Sequence, residues 1–224
     1  MRIAMVALKL RSCTAPCIAA ILAVLAACAA CTGPYIHTTV HRSVIELAPG
    51  ALEHDGLAFI TPTVVLGKEE DKQVVALTFA EVMHNARPDI HVVTLPETLG
   101  LVNSDGFTER YKKMYDDYLQ TGILKRDVIR EIGRVTGARY LAQVKLAGFG
   151  QESVSRLGVL GLRVMETKRA NIRLFLQIWD SDTGRVAWEG VLETNYADDT
   201  MTERVITFRT VVEEAARELV RQLP

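Results

Sequence analysis

The most regular alternation of apolar and polar positions lies near the C-terminus. Ile172, Leu174, Leu176 and Ile178 alternate with Asn171, Arg173, Phe175, Gln177 and Trp179, the period of two that a half-buried strand imposes. Asp182-Thr183-Gly184 supplies a turn, and Val186, Trp188, Gly190 and Leu192 alternate beyond it, so a hairpin is predicted. Tyr140, Ala142, Val144 and Leu146 place a further strand within 140–149. Short apolar runs predict strands at 57–60, ended near Pro62, and at 90–95, closed by Pro96, because proline cannot donate to a ladder. A β-branched stretch over 38–47 is expected to form an edge strand.

Between these runs the spacing changes to three and four. Val74, Val75, Thr78, Phe79, Val82 and Met83 fall on one face of a helix predicted over 69–86, with Glu69, Glu70 and Asp71 at its dipole-favoured start. Phe107, Tyr111, Met114, Tyr115 and Tyr118 define a second helix, with Ser104 or Asp105 expected as its cap and Gly122 as its end. That tyrosine stripe is expected to be core, since no basic groove accompanies it as nucleic-acid stacking would require. Leu124, Val128, Ile129 and Ile132 begin a third helix that should stop at Gly137. A last helix is expected to open at Thr200 and Glu203, in capping-box spacing, and to bury Val205, Phe208, Val212, Ala215, Ala216 and Leu219. This order predicts an α/β (α+β) fold, a mixed β-sheet with helices packed on it, as a single domain over 55–224.

The N-terminus has a different character. Arg2, Lys9 and Arg11 precede an uncharged stretch over 12–33 whose Leu/Ile/Val block, 18–25, has the length of a signal-peptide core. Leu25-Ala26-Ala27-Cys28 closes it and resembles the lipobox of bacterial lipoproteins. The resemblance implies a signal peptide over 1–27, a diacylated (palmitate-type) Cys28 as first mature residue, and a tether over 28–54. Cys31 is the alternative acylation site, and an uncleaved transmembrane anchor is the competing reading, given that a span needs about 20 apolar residues. Ala29 after the lipidated cysteine implies sorting to the outer membrane, with the domain facing the periplasm.

Charge narrows the partners. Of 26 basic residues, three lie in the leader, leaving 23 against 27 acidic ones, a net charge of −4 that gives no electrostatic reason to bind nucleic acid. All four cysteines (Cys13, Cys17, Cys28, Cys31) lie in or beside the leader, so the domain relies on core burial rather than disulfides or thiolate metal sites. Catalytic patterns are missing too. Gly158-Val159-Leu160-Gly161 lacks the third glycine and the lysine of a phosphate cradle, and no serine sits in a Gly-x-Ser-x-Gly elbow. His37 and His41 have helical metal-ligand spacing in a β-branched setting. Asp180, Asp182 and Gly184 begin like a calcium loop, but Val191 stands where a bidentate glutamate is needed. No cofactor and no metal are expected.

The segment 150–165 is the one part that the predicted core does not use. It carries Leu157, Val159, Leu160 and Leu162 among glycines and serines, and is read as a flap or lip that contacts a partner or a membrane, the alternative being that these leucines fold back onto the domain or extend the strands into a longer hairpin.

Ile132-Gly133-Arg134-Val135-Thr136-Gly137-Ala138-Arg139-Tyr140-Leu141 resembles the helix, Gly-Ala-x-Tyr-Leu, strand segment of curli-secretion-channel-like lipoproteins. Leu176-Gln177-Ile178-Trp179-Asp180 through Thr183-Gly184-Arg185-Val186-Ala187-Trp188 is similar to their hairpin, and the architecture over 57–220 is similar to the N-terminal domain of the Tol-Pal propeller protein. The resemblance implies an envelope assembly or transport accessory, not an enzyme, held to the membrane by its N-terminal lipid and engaging an envelope protein or a second copy of itself. It does not extend to a pore, because 150–165 is too short and irregular for two membrane hairpins of about 9–11 residues per strand. The alternative function is an envelope enzyme with dispersed acid–base residues, for which His84, His91 and Asp89 are the nearest grouping.

Overall fold

In the computed structural model, residues 35–65, 68–159, 162–200 and 207–224 are described, of which 35–37, 42, 44, 151–159, 162–168 and 196–200 are described by backbone alone. The predicted C-terminal hairpin is present: β6 (Leu162–Asp180) and β7 (Arg185–Thr200) pair antiparallel across the 182–184 turn. β5 (Tyr140–Val159) pairs antiparallel with the other side of β6, and β1 (Tyr35–Val44) lies antiparallel on β7 as an edge strand. Three short strands, β2 (Leu57–Phe59), β3 (Thr63–Val64) and β4 (Val92–Val93), complete the sheet in parallel. The order is β1-β7-β6-β5-β2-β4, with β3 also on β5, so the sheet is mixed and seven-stranded among the described residues. Together, Tyr35–Pro224 forms one compact unit.

Helices cover both faces, since parallel strands need crossovers. On the first face, α2 (Glu69–Ala86) and α6 (Phe208–Arg221) place Val75, Phe79, Met83, Val212, Ala216 and Leu219 against Val144, Leu146, Leu174, Leu176, Trp188 and Leu192. A short α1 (Ala51–Asp55) adds Leu52 to this core. On the second face, α3 (Leu95–Ser104), α4 (Thr108–Thr121) and α5 (Arg126–Thr136) pack Val102, Tyr111, Met114, Ile129 and Ile132 on Ala58, Leu141 and Trp179. The tyrosine stripe is core, as expected. The Tyr111 hydroxyl lies 2.9 Å from the Thr61 amide and 2.8 Å from its hydroxyl, and the Tyr115 hydroxyl donates to the Pro62 carbonyl at 2.8 Å. Gly137 ends α5 in the left-handed region (φ 69°), the conformation that only glycine adopts cheaply.

Several local readings are corrected. The strand expected over 90–95 is two residues long, and Leu95 starts a helix that the periodicity did not show. Pro96 sits in the first turn of α3, where its missing N–H costs nothing, and Thr94 and Glu97 form a reciprocal capping box before it. Asp105 ends α3 rather than capping α4, which starts after Phe107 with no side-chain cap. Thr200 is the last residue of β7, and α6 begins instead behind Thr207, whose side chain accepts from the Thr210 amide; Glu203 and Val205 lie outside the described residues. A bulge between Ile178 and Trp179 splits the alternation expected on β7, so that Val186 packs in the second core while Ala187, Trp188 and Leu192 pack in the first. The freed Ala187 carbonyl accepts from the amides of Ile45, Glu46 and Leu47, bending the chain after β1 into the core.

Gly190 shows why a residue without a side chain stands in a buried strand. A Cβ there would lie 2.3 Å from the Trp188 ring and 2.9 Å from Leu219, so the indole occupies the space over the glycine.

Candidate functional site

The candidate site lies where the strands extend into a longer hairpin instead of an irregular flap: β5 and β6 continue over 150–159 and 162–165 as an antiparallel ladder whose final pair is Val159 with Leu162. Ladder pairing decides this, because each residue added to a hairpin satisfies its own backbone groups without any core beneath it. Eleven residues of each strand, 149–159 and 162–172, lie beyond the Gly148–Arg173 pair. Register shifts at Leu146/Gly148 and around Leu157 bend the ribbon, as bulges do. β7 accompanies this arm as far as the Thr200–Glu166 pair, and β1 as far as Tyr35–Ala197.

The base of the arm is anchored by specific contacts. Phe149 packs edge-to-face on Phe208 with ring centres 4.9 Å apart, tying β5 to the first turn of α6. Buried Thr194 donates to Thr38 across β7 and β1 at 2.9 Å. On the second face, the helical cover gives way to a polar row. There the Tyr118 hydroxyl donates to the Gln177 carbonyl oxygen at 3.1 Å, Gln177 in turn donates to Glu189, and buried Gln143 lies opposite Gln177. Burial, with Glu189 nearby, pushes the Tyr118 hydroxyl up to about 12, so it stays a donor at ordinary pH. Beyond that row, Lys145 and Arg173 flank the Phe175 ring at 5.7 and 5.5 Å, and Arg173 pairs with Glu193 at 2.9 Å. A shallow depression of about 260 Å³ follows, lined by Gly148, Asn171, Arg173, Glu193 and Asn195.

The opposite end of the sheet is a closed ionic cluster. Arg139 donates to Asp180 at 2.8 Å and lies 3.4 Å from Asp55. Asp180 also accepts from the Asp182 amide at 2.9 Å, so its carboxylate holds the 182–184 turn rather than a calcium ion. Burial alone would raise the Asp180 pKa, but the Arg139 hydrogen bond and the turn amides hold it below the usual carboxylate range. A depressed folded-state pKa contributes stability that is present above about pH 4 and is lost as pH falls through the folded value. Asp180→Asn is therefore expected to flatten the acid limb of stability, read as urea midpoints from about pH 6 to about pH 2. An acid limb as steep as that of the parent would remove Asp180 from the account.

Of the other residues singled out in the sequence, Leu157 and Val159 end β5, Leu162 starts β6, and Leu160, Cys28 and Cys31 lie outside the described residues. His37 and His41 sit on extended β1, where residues four apart are about 13 Å apart, too far to share an ion. No cluster of three metal-ligating side chains occurs among the described residues. His84, His91 and Asp89 are all exposed and do not converge. A depression of about 420 Å³ contains His91 and Glu97 but neither His84 nor Asp89, and the Glu97 carboxylate is committed to the Thr94 amide and hydroxyl at 2.8 Å each. The Arg139–Asp180 cluster and the Tyr118–Gln177 row were not found from sequence, because their partners are 41 and 59 residues apart.

No helix among the described residues is long and apolar enough to cross a membrane. No protein-family model and no curated protein matches the chain. Among solved structures, the chain is similar to a PelC dodecamer from Paraburkholderia phytofirmans, with 11% identity and a TM-score of 0.41 over 84% of this chain and 94% of that one. A point variant of that PelC dodecamer gives 16% identity and a TM-score of 0.43 over 83% and 97%. The lipoprotein GNA1162 from Neisseria meningitidis gives 10% identity and a TM-score of 0.36 over 75% and 96%.

Proposed function

We propose that this chain is a lipid-anchored, non-catalytic binding or assembly module of the bacterial cell envelope. In this reading it is held at Cys28 to the outer membrane, faces the periplasm, and works through the β5–β6 arm. The observation that carries the reading is the ladder itself, which runs eleven residues past the Gly148–Arg173 pair on both strands. Past that pair the buried first core reaches only Ile172 and Ala170 among the described residues, and ordering each further residue opposes folding by about 1–2 kcal/mol of backbone entropy. A ribbon this long serves contact outside the domain, with Leu157, Val159, Leu160 and Leu162 at its end as the apolar contact residues. Beyond Leu146, where β3 pairs with β5, the outer edge of the arm has no partner strand among the described residues.

The test is to shorten the arm. Deleting 152–169 and joining Gln151 to Ala170, which already face each other, through Asn-Gly gives a hairpin with a favoured two-residue turn. The shortened protein is expected to keep its far-ultraviolet circular dichroism and cooperative melting. It should lose the species that chemical cross-linking captures from intact membranes. An unchanged cross-linking pattern in a folded, shortened protein would overturn the proposal.

A further inference from the structure

Among the described residues, two glycines stand inside helices, and the fold explains one of them. A Cβ on Gly133 of α5 would lie 2.5 Å from the Ser181 hydroxyl, so glycine lets that helix approach the β6–β7 turn. Gly100, within α3, is exposed and has no such neighbour. Nothing lies within 4 Å of where its Cβ would stand, and its backbone is not left-handed. A glycine inside a helix lowers stability relative to alanine. Neither conformation nor packing requires Gly100, so it keeps space clear for something outside the chain.

That space is the depression of about 420 Å³ beside β4, which Gly100 lines together with Val92, Val93 and Leu101. β4 is the last strand of the sheet: β2 pairs with it on one side and, among the described residues, no strand does on the other. Along a strand, successive residues turn their amide and carbonyl to alternate edges. The His91 carbonyl accepts from the Leu57 amide at 2.9 Å, so His91 and Val93 address β2 and Val92 points outward. Above and below it the chain closes its own edge. The Ile90 amide donates to the Arg87 carbonyl at 3.1 Å, and the Thr94 amide to Glu97 at 2.8 Å. Val92 therefore offers one donor and one acceptor to the open side. The neighbouring polar side chains are engaged: Glu97 caps α3, and the Thr136 hydroxyl donates to the Ile132 carbonyl at 2.7 Å. What remains to recognise a ligand is a main-chain rung beside an apolar wall, with the exposed His91 ring at its rim.

We propose that this depression takes an extended peptide segment of a partner protein, whose main chain bonds Val92 and passes close over Gly100. The open rung asks for a paired N–H and C=O, the groups that strand addition supplies, while the wall at Leu101 and Val93 takes an apolar side chain. A second folded copy is the poorer fit. An edge strand of two residues is the device that keeps the sheet edges of folded copies from pairing, whereas a free segment needs only one rung and a pocket. The site belongs to β4 and α3 and goes beyond the arm, so neither reading depends on the other.

The test uses the full chain, solubilised in detergent. Short peptides are selected on it from a random display library, counter-selected on Gly100→Leu, and synthesised with blocked termini. Gly100→Leu, Gly100→Ala and Val92→Pro are each checked for parental circular dichroism; proline at an outward edge position removes only a donor that the fold does not use. The selected peptides should slow hydrogen exchange over 91–94 in the parent and bind Gly100→Leu and Val92→Pro about tenfold or more weakly. Gly100→Ala should raise the urea midpoint while weakening the same peptides, a split that a purely structural glycine would not give. If no peptide survives counter-selection, or the survivors leave exchange over 91–94 unchanged, the proposal fails. Exchange there that slows with protein concentration and without peptide places a second copy on the edge and overturns it too. A lower urea midpoint for Gly100→Ala would show that the fold itself needs the glycine, and would remove the premise.

Discussion

Leu174→Ala is expected to lower the unfolding free energy by about 2–5 kcal/mol, the range for removing a buried leucine side chain. Leu174 faces Leu146 on β5 and Leu192 on β7, and all three have 0% exposure, so truncating the middle one opens a cavity that neither neighbour can fill without leaving its own strand position. Leu77 on α2, 47% exposed, provides the matched control. The same leucine-to-alanine change there is expected to stay within about 0.5 kcal/mol. Both are read as chemical-denaturation midpoints with the slope unchanged. A Leu174→Ala loss below about 0.5 kcal/mol would contradict the packing of α2 and α6 on this row.

The row through Leu174 was legible in the sequence because one face of β6 is buried. Selection for burial writes itself into every second residue, and Asp182-Thr183-Gly184 fixes where the alternation turns. Helix α2 was legible for the matching reason: it is long, has one buried face, and ends where the periodicity ends. The arm was legible only as the alternative to a flap. Over 150–165 Leu157, Val159, Leu160 and Leu162 keep no single period, so a search for core-facing periodicity sees an irregular connection. What extends the strands there is backbone pairing, which leaves little trace in side-chain type.

Proline and threonine signals failed where one residue type serves two purposes. Pro96 is read as a strand stop by its missing donor, yet the same missing donor suits the first turn of α3. The Thr94…Glu97 spacing marked that helix start and was available in the sequence. Thr200, which opens the same pattern, instead ends β7, where the antiparallel partner Glu166 holds its backbone extended. Tertiary pairing decides between equal local signals. As for the proposed contact, the sequence singled out its apolar residues, whereas the place of Leu157, Val159 and Leu162 near the end of a ribbon came only from the register.

Cys28→Ser is expected to have the larger consequence for the protein in the cell. Leu25-Ala26-Ala27 offers small residues before the cysteine, and no charge interrupts the apolar run ahead of it. Without the thiol there is no atom on which a thioether to diacylglycerol can form, and cleavage that requires the lipidated cysteine does not follow. The variant should therefore accumulate as a precursor larger than the mature protein by residues 1–27, and the outer-membrane fraction should lose the protein. The domain itself should be unaffected, because the cores are built from residues beyond Pro34; equal melting temperatures for the purified soluble domains would show it. Cys31→Ser should be processed normally. Mass spectrometry that finds the diacyl group on Cys31 would move the anchor by three residues and shorten the tether accordingly. A soluble, unmodified mature protein would remove the anchor altogether.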